Sequence, residues 1–463
     1  MARAPYDEKL DDYGLAPVRL TPSPRHHEEG YLSRQLSREA FAEAEEAARE
    51  THTDIGPPPD GGVAAWSAVA AASCVLLVVF GFSTSMGQLQ AYYLENQLRG
   101  QSKADVAWLG SIQSMLIYMG SLFAGRVFDA YGPERLMWAG TVLLTSSFIA
   151  MAFCTQYWHL ILAHMLFGIG GGTVYSPSTS ISGHWFARRR GTAVSVVITG
   201  AGLGGIVYPL LMREMFVRLS FRNTLFVLAG FTFMAMIPAC TIMHARLPRR
   251  KPPPWSIFKE PWKEAPYVCL VIGAAVWLTN VFTPYFNAPL LAATNRLSPK
   301  ITSYAVLILQ CGSFVGRILV GPLADRVGVW SVFGAMSFLS SLFVLALWTG
   351  NVGPGGAIAG LVLFGMSSGG WMTMVTAATS AISPVTQIGM RIGMLWTFAA
   401  IPNLVGPVIS GALIGVAGGK FIYAGLFTGL MMFVGSAIMV SPHTVTWWRQ
   451  RKMKDGESIN TNI

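Results

Sequence analysis

Apolar stretches of about twenty residues, separated by shorter polar segments, follow one another along the chain from Val63 onwards. A helix of this length crosses a bilayer, and because backbone groups cannot stay unpaired in lipid, each stretch predicts a helix rather than a strand. The sequence therefore predicts an all-α membrane protein with twelve transmembrane helices. The predicted spans are 63–83, 105–125, 136–154, 157–177, 191–212, 222–243, 265–287, 302–322, 329–349, 355–377, 390–412 and 421–441.

The polar segments divide the chain further. Residues 1–60 are rich in Pro, Glu, Arg and Ser and lack the apolar run of a secretory signal, so they predict a disordered tail in the cytosol. The segment 244–264 combines a proline run with six Lys or Arg residues, which predicts a cytosolic linker. The linker separates two six-helix halves, 61–243 and 265–441, and residues 442–463 form a second cytosolic tail.

A repeat supports this division into halves. The turn that begins at Gly125, with the sequence GRVFDAYGPER, has a counterpart that begins at Gly321. Asp129 and Asp325 occupy the same position in the two turns. A parallel repeat of six helices is typical of large secondary transporters, whose substrate site lies between the halves near the middle of the membrane.

Composition agrees with a membrane location. The chain is 52% hydrophobic and 12% charged, with a mean hydropathy of +0.47, whereas soluble domains have about 25% charged residues. The net charge is +10, but most of the 33 Lys and Arg residues fall in the two tails and in alternate loops. This bias predicts cytosolic termini in a lipid bilayer rather than a nucleic-acid groove.

Catalytic or metal-binding patterns are not found in the sequence. The five cysteines show no metal-ligand spacing and are interpreted as small core residues. Without a phosphate loop or a spaced Ser, His and Asp set, we predict neither an enzyme nor a cofactor.

Arg317 is the leading candidate for a substrate contact. An arginine inside an apolar span is costly in lipid and normally faces a bundle interior or a wet cavity. It precedes Asp325 by eight residues, which places it about 12 Å from the end of the span. A cation at this depth would attract an organic anion. The alternative, a structural cation neutralised by helix carbonyls, stays open.

The seventh span contains two prolines and two asparagines. Pro284 and Pro289 interrupt helical bonding, which is typical of a broken helix that lines a cavity. Asn280 and Asn287 are therefore candidate substrate contacts, with hydrogen bonds between helices as the alternative.

Three further polar residues are candidates for the cavity. Gln88 and Asn403 lie in or beside spans, and hydrogen bonds between helices are again the alternative. His164 is the only deep group that titrates near neutral pH. It is a candidate for substrate binding, and a neutral histidine bonded to a neighbouring helix is the alternative. Protons therefore stay open as a coupled partner.

The two paired turns predict a gate. Asp129 with Arg135, and Asp325 with Arg326, lie at the cytosolic ends of spans. Charge pairs and helix-end dipoles there can hold one state of the protein and break when the halves rock.

Taken together, the twelve spans, the basic linker and the Gly-x-x-x-Asp-x-x-Gly-x-x-Arg turn make the chain resemble a major facilitator superfamily transporter. The segment PPPDGGVAAW (57–66) resembles the entry signature of the monocarboxylate porter family. RRRGTAVSVVITGAGLGG (188–205) resembles the fifth-span signature of its fungal members. The resemblance implies transport of a small molecule by alternating access.

Two departures from that family bear on the substrate. Members that carry short monocarboxylates with protons have an Asp where this chain has Ser313, and a Lys in the first span, which residues 67–98 lack. We therefore expect export of a bulky, weakly acidic secondary metabolite across the cell membrane. Uptake of short monocarboxylates and a nontransporting nutrient sensor remain the alternatives.

Overall fold

Helices make up the whole regular structure of the residues that this computed structural model describes, and the all-helical prediction is confirmed. The described residues are 58–101, 103–246, 255–350, 352–416 and 421–454. Most of the predicted N-terminal tail, the centre of the linker and the last nine residues therefore lie outside them.

Twelve long helices, α1 to α12, follow one another in the described residues, and two of them are broken into segments a and b. The first six are α1a Val63–Thr84 with α1b Met86–Glu95, α2 Lys103–Tyr131, α3 Glu134–Ala152, α4 Tyr157–Trp185, α5 Arg190–Arg218 and α6 Phe221–Ile242. The last six are α7a Ala265–Leu278 with α7b Phe282–Thr294, α8 Ala305–Val327, α9 Val329–Phe343, α10 Gly353–Ala381, α11 Ile388–Val416 and α12 Ile422–Lys454. Short helical turns lie at Trp255–Lys259, Pro261–Lys263, Pro299–Ser303, Val344–Trp348 and Val385–Gln387.

Eleven of these helical spans are long and apolar enough to cross a membrane, judged over the described residues. The remaining one, α2, is 29 residues long but carries Gln113 and charged residues at its ends. Its length alone suffices for a crossing. Several helices extend past their predicted ends, and α4 continues to Trp185 with Pro177 inside it.

The break in the first span follows three consecutive hydroxyl side chains. Ser83, Thr84 and Ser85 donate hydrogen bonds to the backbone carbonyls four residues earlier, at 2.8, 2.9 and 2.8 Å. Such bonds compete with the helical ladder and bend a helix. The chain accordingly leaves the helix at Ser85 and re-enters it at Met86, later than the predicted end at 83.

The seventh span is broken, as the prolines predicted, and the break lies before them. Residues 279–281 separate α7a from α7b. Pro284 cannot donate to the carbonyl of Asn280, and its ring excludes that carbonyl from a continuous helix. In the first turn of α7b a proline costs little, because the first N–H groups of a helix have no intrahelical partner. Pro289 is accommodated inside α7b.

Glycines bring α5 into direct contact with α1. A Cβ atom on Gly200 would lie 1.9 Å from the carbonyl oxygen of Ser73, and one on Gly204 would lie 2.2 Å from that of Leu77. No other residue fits at these positions without moving the helices apart. Glycine at these positions therefore permits the close packing of the two helices.

Two helix pairs join the first six helices to the last six. Helix α2 packs along α11, and α5 packs along α8, with smaller contacts between α5 and α10 and between α4 and α11. These pairs surround the centre of the bundle.

Asp60, in the segment that enters α1a, caps the turn between α4 and α5. Its backbone has φ of 53°, and its Oδ1 accepts the backbone N–H groups of Ala187 at 2.6 Å and Arg188 at 2.7 Å. Asp60 therefore fixes the start of α5, the helix that carries the packing glycines.

Candidate functional site

A small cavity lies at the centre of the bundle, among the two helix pairs and α1, α4, α7b and α10. Its volume is about 50 Å³, and one water needs about 10–15 Å³ by the same measure, so only a few waters fit. The structure therefore represents a closed state around this cavity. Its lining residues are Leu76, Phe80, Thr84, Tyr118, Tyr175, Ile198, Ala201, Phe282, Tyr285, Gln310, Arg317, Met372 and Trp396.

Arg317 supplies the cavity with its cation. The side chain is partly buried, and Nη1 donates to the carbonyl of Ile198 on α5 at 3.0 Å. Nε has no hydrogen-bond partner in the described residues, and Arg317 forms no ion pair there. The carbonyl of Ile198 thus accepts only one of the five N–H donors of the guanidinium. The sequence left open whether Arg317 contacts substrate or is neutralised by helix carbonyls. In the structure, the arginine both binds a helix carbonyl and lines the cavity.

The backbone around Arg317 is held by the same helix pair. Ser195 on α5 donates its hydroxyl hydrogen to the carbonyl of Arg317. A Cβ on Gly202 would lie 3.4 Å from Cδ of Arg317, so α5 passes close to the arginine stem. Arg317 therefore sits at the α5–α8 interface, where a movement between these helices would shift its head.

Aromatic rings form two walls of the cavity. The first wall consists of Phe80, Tyr118, Tyr175 and Trp396, which come from four helices and touch one another. Tyr118 and Trp396 are stacked across the α2–α11 pair, with centroids 5.1 Å apart and planes at 12°. The second wall consists of Phe282 and Tyr285 on α7b, with centroids 6.1 Å apart.

His164 lies away from the cavity, inside the first six helices. It is fully buried, its Nδ1 is 2.7 Å from Oε1 of Gln113, and its Nε2 is 3.3 Å from the hydroxyl of Tyr93. Gln113 in turn donates to Ser83 at 3.0 Å. A neutral imidazole satisfies this chain of bonds.

The four amide candidates also lie outside the cavity lining. Asn280 is fully buried and its Oδ1 accepts from Ser410 at 3.0 Å, which joins α7 to α11. Asn287 donates to the carbonyl of Thr283 at 2.8 Å on its own helix. Gln88 is exposed, and Asn403 is partly buried with an Oδ1 that has no partner in the described residues. Among the six predicted substrate contacts, the structure brings only Arg317 to the cavity.

The paired aspartates lie at the same end of the two helix pairs. Asp129 at the end of α2 accepts the N–H of Gly389 at 3.1 Å and of Met390 at 2.8 Å, at the start of α11. Asp325 at the end of α8 accepts the N–H of Gly191 at 2.8 Å and of Thr192 at 3.0 Å, at the start of α5. Each carboxylate thus caps the N-terminus of a helix across the centre of the bundle, where the helix dipole favours a negative charge.

The predicted arginine partners of these aspartates lie elsewhere. Arg135 and Arg326 are exposed, and neither is paired with an aspartate in the part of the chain that the structure describes. Backbone N–H groups of helices distant in sequence bind the two aspartates. The sequence had predicted that neighbouring arginine side chains would do so. Close packing seals the same end, because a Cβ on Gly125 would lie 2.1 Å from the carbonyl oxygen of Gly389.

Sequence reasoning missed Arg391, a buried cation near the start of α11. It forms a bidentate ion pair with Glu264, with both N–O distances 2.6 Å, and its own carbonyl accepts from Tyr267 at 2.8 Å. Its position at the edge of a predicted span gave it the appearance of a loop residue. The pair ties the end of the linker to the helix that Asp129 caps.

The chain is similar to known proteins in both sequence and fold. The family model for the Major Facilitator Superfamily matches residues 71–291. The chain is 30% identical over 387 residues to the MFS-type transporter opdF of Penicillium oxalicum, covering 82% of this chain and 91% of that protein. It is also 30% identical over 386 residues to the aspyridones efflux protein apdF of Emericella nidulans, covering 82% and 78%. The human organic anion transporter MFSD10 has a similar fold, with a TM-score of 0.67 over 82% of this chain and 100% of that one at 14% identity.

Proposed function

Because this chain belongs to the major facilitator superfamily of membrane transporters, we propose that it exports a bulky, weakly acidic metabolite through the cavity around Arg317. The family and these relatives consist of transporters rather than enzymes. Alternating access would expose the cavity first to one side of the membrane and then to the other.

The observation that carries this proposal is Arg317, a cation in an apolar cavity without an acidic partner among the described residues. An uncompensated charge away from water is costly, and a bound anion offsets that cost. The rest of the lining is aromatic and aliphatic, apart from Thr84 and Gln310. Burial of each 100 Å² of apolar substrate surface contributes about 2.5 kcal/mol, so a large apolar acid gains more here than lactate.

The direction of transport is inferred from relatives. One of them is named as an efflux protein for aspyridones, and it aligns with 82% of this chain. We extend efflux, though not that cargo, to this protein. The substrate is a larger weak acid rather than a short monocarboxylate.

The gate consists of Asp129 and Asp325. Their caps on α11 and α5 stabilise the closed arrangement at one end of the bundle, and release of both caps would let the halves 61–243 and 265–441 rock. Arg135 and Arg326, exposed beside these aspartates, would pair with them in other states of the cycle.

We also propose a family, an orientation in the membrane and a cellular location for the protein. The Asp-Gly-Gly entry at 60–62 and the glycine-rich fifth span support membership of the monocarboxylate porter family. The excess of Lys and Arg in the tails and alternate loops supports cytosolic termini, with Asp129 and Asp325 facing the cytosol. The proposed export from the cell favours the plasma membrane as its location.

Uptake into proteoliposomes tests the function. The purified protein should carry 2-naphthoate, a bulky weak acid, at least tenfold faster than lactate. Arg317→Ala should abolish this flux and Arg317→Lys should restore only part of it, because lysine lacks the planar fork. Arg218→Ala, which removes an exposed arginine paired with Glu214, is the matched control and should keep the parent rate.

Two results would contradict the proposal. Rapid lactate uptake that Arg317→Ala leaves unchanged would favour a short-acid carrier with another site. Tight binding of 2-naphthoate without any flux would favour a nontransporting sensor.

A further inference from the structure

We propose that the cavity selects planar, conjugated acids over saturated acids of the same size. This inference rests on the proposed function, because it concerns the substrate that Arg317 binds. It is carried by the arrangement of the two aromatic walls and by donors that have no partner in the closed state.

The two walls leave a slot between them. Rings within the first wall contact one another, as do Phe282 and Tyr285 in the second. In the part of the chain that the structure describes, no ring of one wall contacts a ring of the other, yet both line the same cavity. Aromatic rings of both walls therefore line the same small cavity.

Unpartnered donors surround this slot. Tyr118 and Tyr175 line the cavity and are 4% and 2% exposed. The indole Nε1 of Trp396 and Nε of Arg317 are buried and have no hydrogen-bond partner among the described residues. Buried donors without acceptors are costly, and they mark the places where a ligand supplies oxygen atoms.

A conjugated acid satisfies both features at once. Its negative charge is spread over oxygens that lie in the plane of its π system, so the oxygens can reach the donors while the faces meet the walls. Aromatic pairs prefer offset-stacked or edge-to-face geometry and gain affinity beyond simple burial. A saturated ring of the same size gains burial alone.

Two matched acids test this selectivity. trans-Cinnamate and 3-cyclohexylpropanoate carry the same carboxylate on a six-membered ring of similar size, and only the first is planar and conjugated. Binding is measured by calorimetry on the full-length purified protein in detergent. Cinnamate should bind about tenfold more tightly than its saturated partner.

Variants of one helix locate the effect. Trp396→Leu should reduce the preference to within about twofold, and Trp396→Phe should retain most of it. Phe398→Leu is the matched control, because Phe398 lies two residues further along α11, is 45% exposed and contacts Trp262 outside the cavity. It should keep the full preference.

The outcomes separate this inference from the proposed function. Equal affinity of the wild-type protein for both acids, with both lost in Arg317→Ala, would overturn the selectivity and leave the anion site standing. A preference that survives Trp396→Leu would also overturn it. Binding of neither acid would overturn both proposals.

Discussion

Replacing Asp129 or Asp325 with asparagine should open the end of the bundle that these residues close. Asp129 accepts two N–H groups, at 3.1 and 2.8 Å, with two carboxylate oxygens. Asparagine offers one oxygen and one amide donor, so one N–H loses its acceptor and the negative charge at the helix N-terminus disappears. A hydrogen bond to a charged group contributes about 1.5–3 kcal/mol, and a charge at a helix end about 0.3–1 kcal/mol.

A net loss of about 2 kcal/mol would raise the ratio of open to closed molecules about 30-fold. Ser176 reports this ratio, because it is fully buried and donates to the carbonyl of Gly389 at 3.0 Å. We would introduce Ser176→Cys after replacing the five native cysteines with alanine, and measure its labelling by a membrane-impermeant maleimide.

Either asparagine variant should raise the labelling rate by about this factor. Turnover should fall, since each cycle must return through the closed state, while substrate binding should remain measurable. Glu214→Gln, which removes a 68% exposed carboxylate from an ion pair with Arg218, should leave the rate unchanged. Labelling within twofold of the parent in both asparagine variants would refute the capping argument.

Three further predictions concern the frame around the site. Glu264→Gln leaves Arg391 buried without its counter-ion and should destabilise the protein by about 2 kcal/mol, measured by thermal unfolding in detergent. The control Glu214→Gln, in an exposed ion pair, should change the stability by less than about 1 kcal/mol. Gly200→Ala should lower the unfolding temperature by several degrees, because its Cβ would overlap the main chain of α1, and Gly230→Ala, with no atom within 4 Å, should not. Tags at both termini should survive a protease added outside intact cells, and cleavage of either tag would contradict the cytosolic topology.

The helices were predictable because their signal is local. A run of about twenty apolar residues specifies a membrane helix whatever its neighbours are. The breaks were harder to place, since Ser85 ends α1a through bonds from hydroxyls to the carbonyls of the preceding turn. Helix ends also extend beyond the apolar run, as at Tyr131, because capping and charged residues continue the helix outside the hydrophobic core.

The site was predictable only where one residue type is exceptional. Arg317 stands out as a cation in an apolar span, but Tyr118 and Trp396 resemble many other aromatic residues in membrane helices. They meet across the α2–α11 pair, and no sequence spacing reports that contact. Likewise, the positions of Asp129 and Asp325 were evident from the repeat, whereas their partners are backbone N–H groups that carry no residue signature.

The single fixed charge of the cavity has an energetic consequence. No carboxylate lines the cavity in the described residues. If an anion binds at Arg317 as proposed, it would cross with its charge, and transport would move charge across the membrane. The cell interior is electrically negative, and one elementary charge gains about 2.3 kcal/mol per 100 mV on leaving it. That energy corresponds to a concentration ratio of about 50 in favour of the outside. For an exporter of this proposed kind, the membrane potential would help to concentrate an acidic product outside the cell.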